Sequence, residues 1–357
     1  MVRVLILSGF LGSGKTSLIL RLGKHFAERL GKRSVIVVNE IGEVGVDGDY
    51  LRKLGMNSYE ITDGCICCTL RRDLESTLSE VISTFSPDYV LIEPTGIAFP
   101  SAIRKVVKKF GLDALVIGVA DAKRFLKLYG EAREFIERQL REVEVVAVNK
   151  VDEVKSRAEL GVLVEMIRQI SPNAKIVFTS AKTGEGFDEL LKSLDHNVGF
   201  EARDDLGDST REAGASWYSS SFLIKLKKPV AAVGLRNLIV ELMEELRDLS
   251  GDIQHYKMLL SSQNGVLKLG LTGKDESVSL DGSLAGWVAE AKLNVLLIDK
   301  TLNPEQLEKT FINLLNRKSE EFGFEFECAS HEHGEKEHEE VITDGNRSCN
   351  RLRYEWL

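Results

Sequence analysis

One short stretch near the start of the chain limits what the rest of it can fold into. An apolar run over residues 4–7 leads into Gly9-Phe10-Leu11-Gly12-Ser13-Gly14-Lys15-Thr16, and an amphipathic helical pattern follows from Ser17. This is the spacing of a Walker A phosphate-binding loop between a buried strand and a helix. Glycines are required there because a Cβ would keep backbone N–H groups away from phosphate oxygens. The stretch therefore predicts a P-loop NTPase.

Side chains of this loop supply charge for phosphates and for a metal ion. Lys15 would reach the β- and γ-phosphates, and the Thr16 hydroxyl would be a direct ligand of Mg²⁺. The positive end of the following helix adds to the attraction for phosphate. The predicted phosphate-binding residues are Gly9, Gly12, Ser13, Gly14, Lys15, Thr16 and Ser17.

A second motif follows the apolar run Tyr89–Ile92, which leads into Glu93-Pro94-Thr95-Gly96. An acid at the end of a buried strand is typical of the Walker B position, so Glu93 would lie near the Mg²⁺. The Gly96 N–H would sense the γ-phosphate, as in switch-type NTPases. We therefore predict Lys15, Thr16 and Glu93 as the catalytic residues and Gly96 as a nucleotide contact.

Two further segments predict that the base is guanine. Asn149-Lys150-Val151-Asp152 follows a buried strand, and Thr179-Ser180-Ala181-Lys182 follows the next one. The Asp152 carboxylate can accept hydrogen bonds from guanine's N1–H and exocyclic amine, whereas adenine presents an acceptor at N1. Lys150 would lie along the base plane, and a backbone N–H of the second segment would contact the base oxygen. The predicted base-binding residues are Asn149, Lys150, Asp152, Ser180, Ala181 and Lys182, and the predicted ligand is GTP with Mg²⁺.

The chain divides into two parts by its patterning. From Val2 to about Leu194, apolar runs alternate with helical patterns, which predicts an α/β fold with a mainly parallel sheet. The predicted strands are Val2–Ser8, Ser34–Asn39, Met56–Ile61, Tyr89–Ile92, Ala114–Ala120, Glu144–Val148 and Lys175–Phe178. A polar linker at 196–216 would separate this P-loop domain, 1–195, from a smaller α+β domain, 217–325. Strands of the second domain are predicted at Ser220–Lys227, Val266–Leu271, Glu276–Leu280 and Leu293–Ile298.

Three of the five cysteines lie together in Cys65-Ile66-Cys67-Cys68, just before a helical pattern that begins at Leu70. A helix N-terminus lowers the pKa of a thiol, and the thiolate is the form that binds soft or borderline metals. Three thiolates can occupy three corners of a tetrahedral site and leave the fourth to a carboxylate, water or a partner's ligand. The open alternative is cysteine redox chemistry.

The motifs described above, in this order and spacing, resemble the CobW-type metallochaperone GTPases, which are related to the hydrogenase and urease nickel-insertion GTPases. The resemblance covers roughly the first 190 residues, and the Cys-x-Cys-Cys segment is its most specific element. It implies that Cys65, Cys67 and Cys68 bind Zn²⁺ or Co²⁺. It also implies that Glu40, in Asn39-Glu40-Ile41-Gly42-Glu43-Val44-Gly45, lies close to both nucleotide and metal. Ile41 stands where the family usually has phenylalanine, and Pro94 where a small hydroxyl residue is commoner.

The end of the chain, residues 326–357, is predicted to be a flexible tail rich in histidine and glutamate. Three of the six histidines, His331, His333 and His338, fall within eight residues of each other. Imidazole and carboxylate groups can bind divalent ions, so these histidines are candidate metal ligands, and a solvated acidic tail is the alternative. Cys328 could join them.

The composition of the chain limits the kinds of partner that it can bind. A formal net charge of −8 argues against a general affinity for nucleic acid or an anionic membrane. The apolar run of the first strand begins after only three residues, which leaves no room for a signal peptide, and no apolar run is as long as a transmembrane helix. The expected location is the cytoplasm, where clustered cysteines more often indicate metal or redox chemistry than disulfides.

Three functions are compatible with these motifs. The first is a GTP-hydrolysing metallochaperone or insertase that delivers Zn²⁺ or Co²⁺ to a client metalloprotein. The second is an activator that binds a cofactor-containing enzyme, such as a corrinoid protein, and holds only a structural Zn²⁺. The third is a cysteine redox switch regulated by GTP. No glutamine or arginine can be assigned to the attacking water, so hydrolysis is expected to be slow until a client or a second copy in a homodimer completes the site.

Overall fold

The structure is a computed structural model, and it describes residues 2–10, 12–39, 58–61, 69–94, 99–154, 157–194 and 216–335. The described residues up to 194 belong to one compact unit, and those from 216 onward belong to a second. Apart from Ser216, the predicted linker at 196–216 lies outside the described residues. No helix in these ranges is long and apolar enough to cross a membrane.

The first unit alternates strands with helices. Its strands are β1 (Arg3–Ser8), β2 (Ser34–Asn39), β3 (Ser58–Ile61), β4 (Tyr89–Glu93), β5 (Ala114–Asp121), β6 (Val145–Asn149) and β7 (Lys175–Phe178). Its helices are α1 (Lys15–Lys24), α2 (Thr69–Phe85), α3 (Pro100–Lys109), α4 (Phe125–Glu131), α5 (Arg133–Leu140), α6 (Arg157–Ile170) and α7 (Phe187–Ser193). All seven predicted strands are present, and the predicted α/β class is confirmed.

These strands form one parallel sheet in the order β3-β2-β4-β1-β5-β6-β7. Apart from β3, the strands are mostly apolar, as expected for a sheet covered on both faces, and Ile6 and Leu7 of β1 are fully buried. Because all the strands run the same way, their carboxyl ends meet at one edge. The loops after β1, β4, β5 and β6 therefore begin side by side, although they are far apart in sequence.

The second unit is an antiparallel sheet with two helices. Its strands are β8 (Ser216–Ala231), β9 (Ile253–Ser262), β10 (Gly265–Leu271), β11 (Ser279–Leu284), β12 (Trp287–Asp299) and β13 (Phe324–Glu335), in the sheet order β11-β10-β9-β12-β8-β13. Its helices, α8 (Ala232–Leu249) and α9 (Pro304–Phe322), share one apolar core with the sheet. The α+β class matches the prediction, whereas β9 and β13 were not predicted.

The prediction of a flexible tail from residue 326 is wrong for residues 326–335. These residues belong to β13, which pairs antiparallel with β8 from Phe324 to Glu335. The strand forms because Phe324 is buried in the core of this unit, and Phe326 and Cys328 pack against that core. His331 and His333 are thus strand residues, and His338 lies outside the described residues.

A buried carboxylate organises the connection from β12 to α9. Asp299 Oδ2 accepts a hydrogen bond from the Tyr256 hydroxyl at 2.8 Å. Asp299 Oδ1 accepts from the Thr301 N–H at 2.8 Å and from the Leu302 N–H at 3.1 Å. Burial raises the pKa of Tyr256 above its ordinary value, so the hydroxyl stays protonated at neutral pH and can donate. One side chain therefore joins β9, β12 and the turn that leads to α9.

We expect Asp299→Ala to lower the free energy of unfolding of the second unit by about 2–4 kcal/mol, because it leaves buried donors without acceptors. Urea unfolding of the full chain, followed by tryptophan fluorescence, measures this effect, since all three tryptophans lie beyond residue 216. Asp281→Ala, on exposed β11, is the matched control and should change stability little. Equal effects of the two substitutions would contradict this account.

Candidate nucleotide-binding site

The loop after β1 has a backbone that only glycine fits at two positions. Gly9 has φ +152°, and a Cβ there would lie 2.3 Å from the carbonyl oxygen of Val119. Gly14 has φ +93°, and its Cβ would lie 2.3 Å from Asn149 Nδ2. The loop is therefore packed against β5 and against the end of β6, which fixes the path of its backbone N–H groups.

Two side chains of the loop suit phosphate binding. The buried Lys15 ammonium donates to the carbonyl oxygens of Gly9 at 3.0 Å and Phe10 at 3.3 Å, so it lies over the loop. The Ser13 hydroxyl is buried and has no hydrogen-bond partner among the described residues. A buried hydroxyl normally has an acceptor, and a phosphate oxygen would supply one. Gly12 has φ +73°, and Ser17 lies in the first turn of α1.

The two residues predicted to hold Mg²⁺ are in direct contact. The Thr16 hydroxyl donates to Glu93 Oε1 at 2.9 Å, and both residues are buried. They meet because β4, which ends at Glu93, pairs with β1. Ligands of Mg²⁺ lie about 2.0–2.1 Å from the metal in octahedral geometry, which sets neighbouring oxygens about 2.9 Å apart. The pair therefore fits two adjacent positions around a magnesium ion.

Asn149 connects three parts of the site through one side-chain amide. Its Nδ2 donates to the carbonyl oxygen of Ser13 at 2.9 Å, and its Oδ1 accepts from the Ala181 N–H at 2.9 Å. The residue is only 1% exposed. The phosphate loop, the end of β6 and the loop after β7 are therefore held together by a single group.

The residues that follow Asn149 leave a carboxylate at the surface. Lys150 has a left-handed backbone, φ +65°, and its ammonium lies 2.8 Å from Asp121 Oδ2. Asp152 is exposed on the single 3-10 turn Val151–Glu153. Asp121 fixes the position of the lysine, because its Oδ1 also accepts the N–H groups of Lys123 at 3.0 Å and Arg124 at 3.1 Å. This arrangement leaves Asp152 available to a base.

The loop after β7 is fixed by a hydrogen bond within the loop and by hydrogen bonds from helix α1. The Ser180 Oγ accepts from the Thr183 N–H at 3.0 Å, and Lys182 is exposed. Because the Ala181 N–H is donated to Asn149, a base oxygen would have to share this donor. Arg21 of α1 donates to the carbonyl oxygens of Ala181 at 3.0 Å and Lys182 at 3.2 Å.

Sequence reasoning missed Asp121 and Arg21. Asp121 had a usable signal, since an acid at the carboxyl end of a buried strand belongs to the same sheet edge as Glu93 and Asn149. Arg21 had none, because its partners lie 160 residues away and an arginine on a helix surface is usually solvated.

Several predicted site residues cannot be located. Glu40, Cys65, Cys67, Cys68, Gly96 and His338 lie outside the described residues. Among the side chains that the structure does describe, no group of three or more histidine, cysteine or acidic residues is arranged to hold a metal ion. The zinc or cobalt site therefore stays a prediction.

The phosphate loop, the Thr16–Glu93 contact and the Asn149 bridge define a P-loop nucleotide-binding protein. Residues 3–178 match the family model described as "CobW/HypB/UreG, nucleotide-binding domain". This part of the chain belongs to that family, as the resemblance in its motifs implied.

Three curated relatives have similar sequences. The chain is 30% identical over 230 residues to the zinc chaperone CobW of a Sinorhizobium species, covering 55% of this chain and 63% of that protein. It is 31% identical over 164 residues to the zinc chaperone YeiR of Escherichia coli, covering 44% and 49%. It is 30% identical over 210 residues to the zinc-regulated GTPase metalloprotein activator 1 of Schizosaccharomyces pombe, covering 53% and 48%. The chain thus spans less than two thirds of each relative's length.

We expect Arg21→Met to weaken binding of GDP about three- to tenfold, chiefly through faster release, because the loop after β7 loses its two bonds to α1. Stopped-flow release of a fluorescent GDP analogue measures the effect. Arg29→Met is the matched control, since Arg29 is exposed just beyond the same helix. Unchanged release from the Arg21 variant would show that this arginine does not position the loop.

Proposed function

We propose that the chain binds GTP with Mg²⁺, hydrolyses it slowly, and uses this cycle to bind Zn²⁺ or Co²⁺ at Cys65, Cys67 and Cys68 and deliver it to a client metalloprotein. The Asn149 bridge between Ser13 and Ala181 carries the nucleotide part of this proposal. The names of the relatives, zinc chaperone and zinc-regulated GTPase metalloprotein activator, support the metal part.

Guanine specificity rests on an exposed carboxylate beside a fixed lysine. The ion pair with Asp121 holds the Lys150 stem, so its methylene groups can lie along the face of a purine. Asp152 then accepts from the two N–H groups at the edge of guanine. Adenine would present a lone pair to the carboxylate, which is repulsive.

We expect Asp152→Asn to lower affinity for GDP about 100-fold, since hydrogen bonds to a charged group contribute about 1.5–3 kcal/mol each. The same variant should gain affinity for xanthosine diphosphate, because xanthine has a carbonyl where guanine has an amine and the asparagine can donate to it. Isothermal titration with both nucleotides measures the switch. Glu153→Gln, the adjacent exposed carboxylate, is the control, and loss of GDP binding in it as well would contradict base recognition by Asp152.

Hydrolysis would use the charges of the phosphate loop. Water attacks the γ-phosphorus, the bond to the bridging oxygen breaks, and GDP and phosphate are formed. Lys15 would stabilise the negative charge that develops on the phosphate oxygens. Thr16 and Glu93 would hold the Mg²⁺, which when bound would supply positive charge beside the phosphates. We expect this reaction to be slow until a client or a second copy accelerates it.

The order of the strands supports coupling between nucleotide and metal. The cysteines lie between Ile61, the last residue of β3, and Thr69, the first of α2. Glu40 directly follows β2, which pairs with β3 on one side and with β4 on the other. The strand leading to the cysteines is three strand spacings, about 14 Å, from β1. The end of β2 therefore lies between the strand that leads to the cysteines and the strand that ends at Glu93, which supports Glu40 as a residue that responds to both ligands.

We expect Co²⁺ titration of the reduced protein to produce thiolate-to-cobalt absorption bands that Cys67→Ala removes. The affinity for Co²⁺ should differ between GDP and a non-hydrolysable GTP analogue, and by linkage the metal must change nucleotide affinity by the same factor. Cys349→Ala controls for thiols outside the motif. Bands without any nucleotide effect would contradict coupled transfer, and the absence of thiolate bands would contradict a metal site at these cysteines.

The relative named a metalloprotein activator favours one alternative. In that alternative the cysteines hold a structural Zn²⁺, and GTP hydrolysis gates the repair or reloading of a cofactor enzyme such as a corrinoid protein. A client would then accelerate hydrolysis without exchange of the metal. Metal exchange measured in parallel with phosphate release separates the two functions.

A further inference from the structure

Three phenylalanines form a row beside the phosphate loop. The rings of Phe10 and Phe135 meet edge to face, with their centroids 5.9 Å apart. The ring of Phe135 also contacts that of Phe99, and these centroids are 5.3 Å apart. Phe135 and Phe99 are buried, and Phe10 is half-buried. This aromatic row, Phe10, Phe135 and Phe99, therefore links the phosphate loop to α5 and to the residue that precedes α3.

The backbone of Phe10 connects the aromatic row to the lysine of the phosphate loop. The Phe10 carbonyl oxygen accepts hydrogen bonds from the Ser13 N–H at 3.2 Å and from the Lys15 ammonium at 3.3 Å. The first bond closes the turn of the loop, and the second fixes the charged group that would stabilise the transition state of hydrolysis. A shift of Phe10 would therefore move this charge relative to the phosphates.

Arg138 of α5 covers the other end of the aromatic row. Its guanidinium carbon Cζ lies 4.2 Å from the centroid of the Phe99 ring, where a cation is attracted to the face of the ring. Arg138 and Phe135 are three positions apart and so lie on one side of the helix. Ile136 and Leu140 of the same helix are buried in the apolar core, which fixes the helix. Phe99 is therefore held by two side chains of one anchored helix.

We propose that Phe135 and Arg138 are positioning residues for GTP hydrolysis, which act through the aromatic row and not by contact with the nucleotide. Phe135 holds Phe10, and with it the carbonyl oxygen to which Lys15 donates. Arg138 holds Phe99 in contact with Phe135. A misplacement of about 1 Å by a distant substitution can slow catalysis about 100-fold. This inference rests on the proposed hydrolysis of GTP and adds the residues that fix its catalytic lysine.

Hydrolysis of GTP by the full chain in single turnover, with protein in excess, tests the role of Phe135. We expect Phe135→Leu to lower the rate about tenfold, because leucine loses the ring contact that holds Phe10. The dissociation constant for GDP should change less than about twofold, because the contacts of Asn149 with both loops remain. Phe26→Leu is the matched control and should not lower the rate. Phe26 is also buried in the first unit and stacks on Tyr89, but Tyr89 begins β4, at the sheet edge opposite the nucleotide.

Two substitutions separate the charge of Arg138 from its bulk. Arg138→Met keeps an unbranched side chain without the charge, and we expect the hydrolysis rate to fall about threefold. Arg138→Lys keeps a cation over the ring and should restore most of the parental rate. Arg133→Met is the control, because the Arg133 guanidinium also lies over a ring, that of Tyr129 at 5.6 Å, but its side chain is 72% exposed.

Far-UV circular dichroism of each variant checks that the chain remains folded. A folded Phe135→Leu variant that hydrolyses GTP as fast as Phe26→Leu would overturn the inference, and so would equal rates of Arg138→Met and Arg138→Lys. If Phe135→Leu does not fold, the two Arg138 variants decide the question alone. A parent chain that binds GTP and does not hydrolyse it would overturn the proposed hydrolysis as well.

Discussion

The arrangement of the nucleotide site depends on one buried amide, that of Asn149. The amide uses its donor on the Ser13 carbonyl and its acceptor on the Ala181 N–H, so each end fixes a different loop. An aspartate would set a negative charge against the Ser13 carbonyl, and an alanine would leave two buried groups without partners. The amide also explains Gly14, because any Cβ there would lie 2.3 Å from Nδ2. Asparagine and glycine are required together.

The parallel sheet is what allows such contacts between distant parts of the chain. With β1 between β4 and β5, Thr16 reaches Glu93, and the P-loop packs against Val119. Each βα unit adds one loop to the same edge, so binding residues from several short loops lie together there. The second unit is built differently, as an antiparallel sheet. Its antiparallel strands and two helices pack around a shared apolar core. Asp299, which is fully buried, organises the turn after β12 by accepting hydrogen bonds from backbone N–H groups.

The sequence was sufficient for elements whose signal is local. Six of the seven parallel strands contain a continuous apolar run, β3 being the exception, and the glycines of the P-loop stand at fixed intervals, so both could be predicted. The contacts of Arg21 with the loop after β7 depend on how distant elements pack and could not be predicted, whereas Asp121, at the end of a buried strand, had a local signal. The error at β13 has another cause. Its glutamates have low strand propensity, yet pairing along β8 and the packing of Phe324 and Phe326 against the core outweigh this preference.

Polar side chains on an end strand have an ordinary explanation, because charge there discourages pairing with another chain. This explanation suffices for Glu325 and Glu327, which are exposed and alternate with the buried side of β13. It does not account for Cys328 and His331, which lie on the other face, where Phe222 and Ser220 are buried. A chain that needed only an apolar face could continue the pattern of Phe324 and Phe326. Cys328 instead packs against that core and donates its thiol proton to the carbonyl oxygen of Ser330 at 3.4 Å, so the side chain also holds the backbone at the register shift.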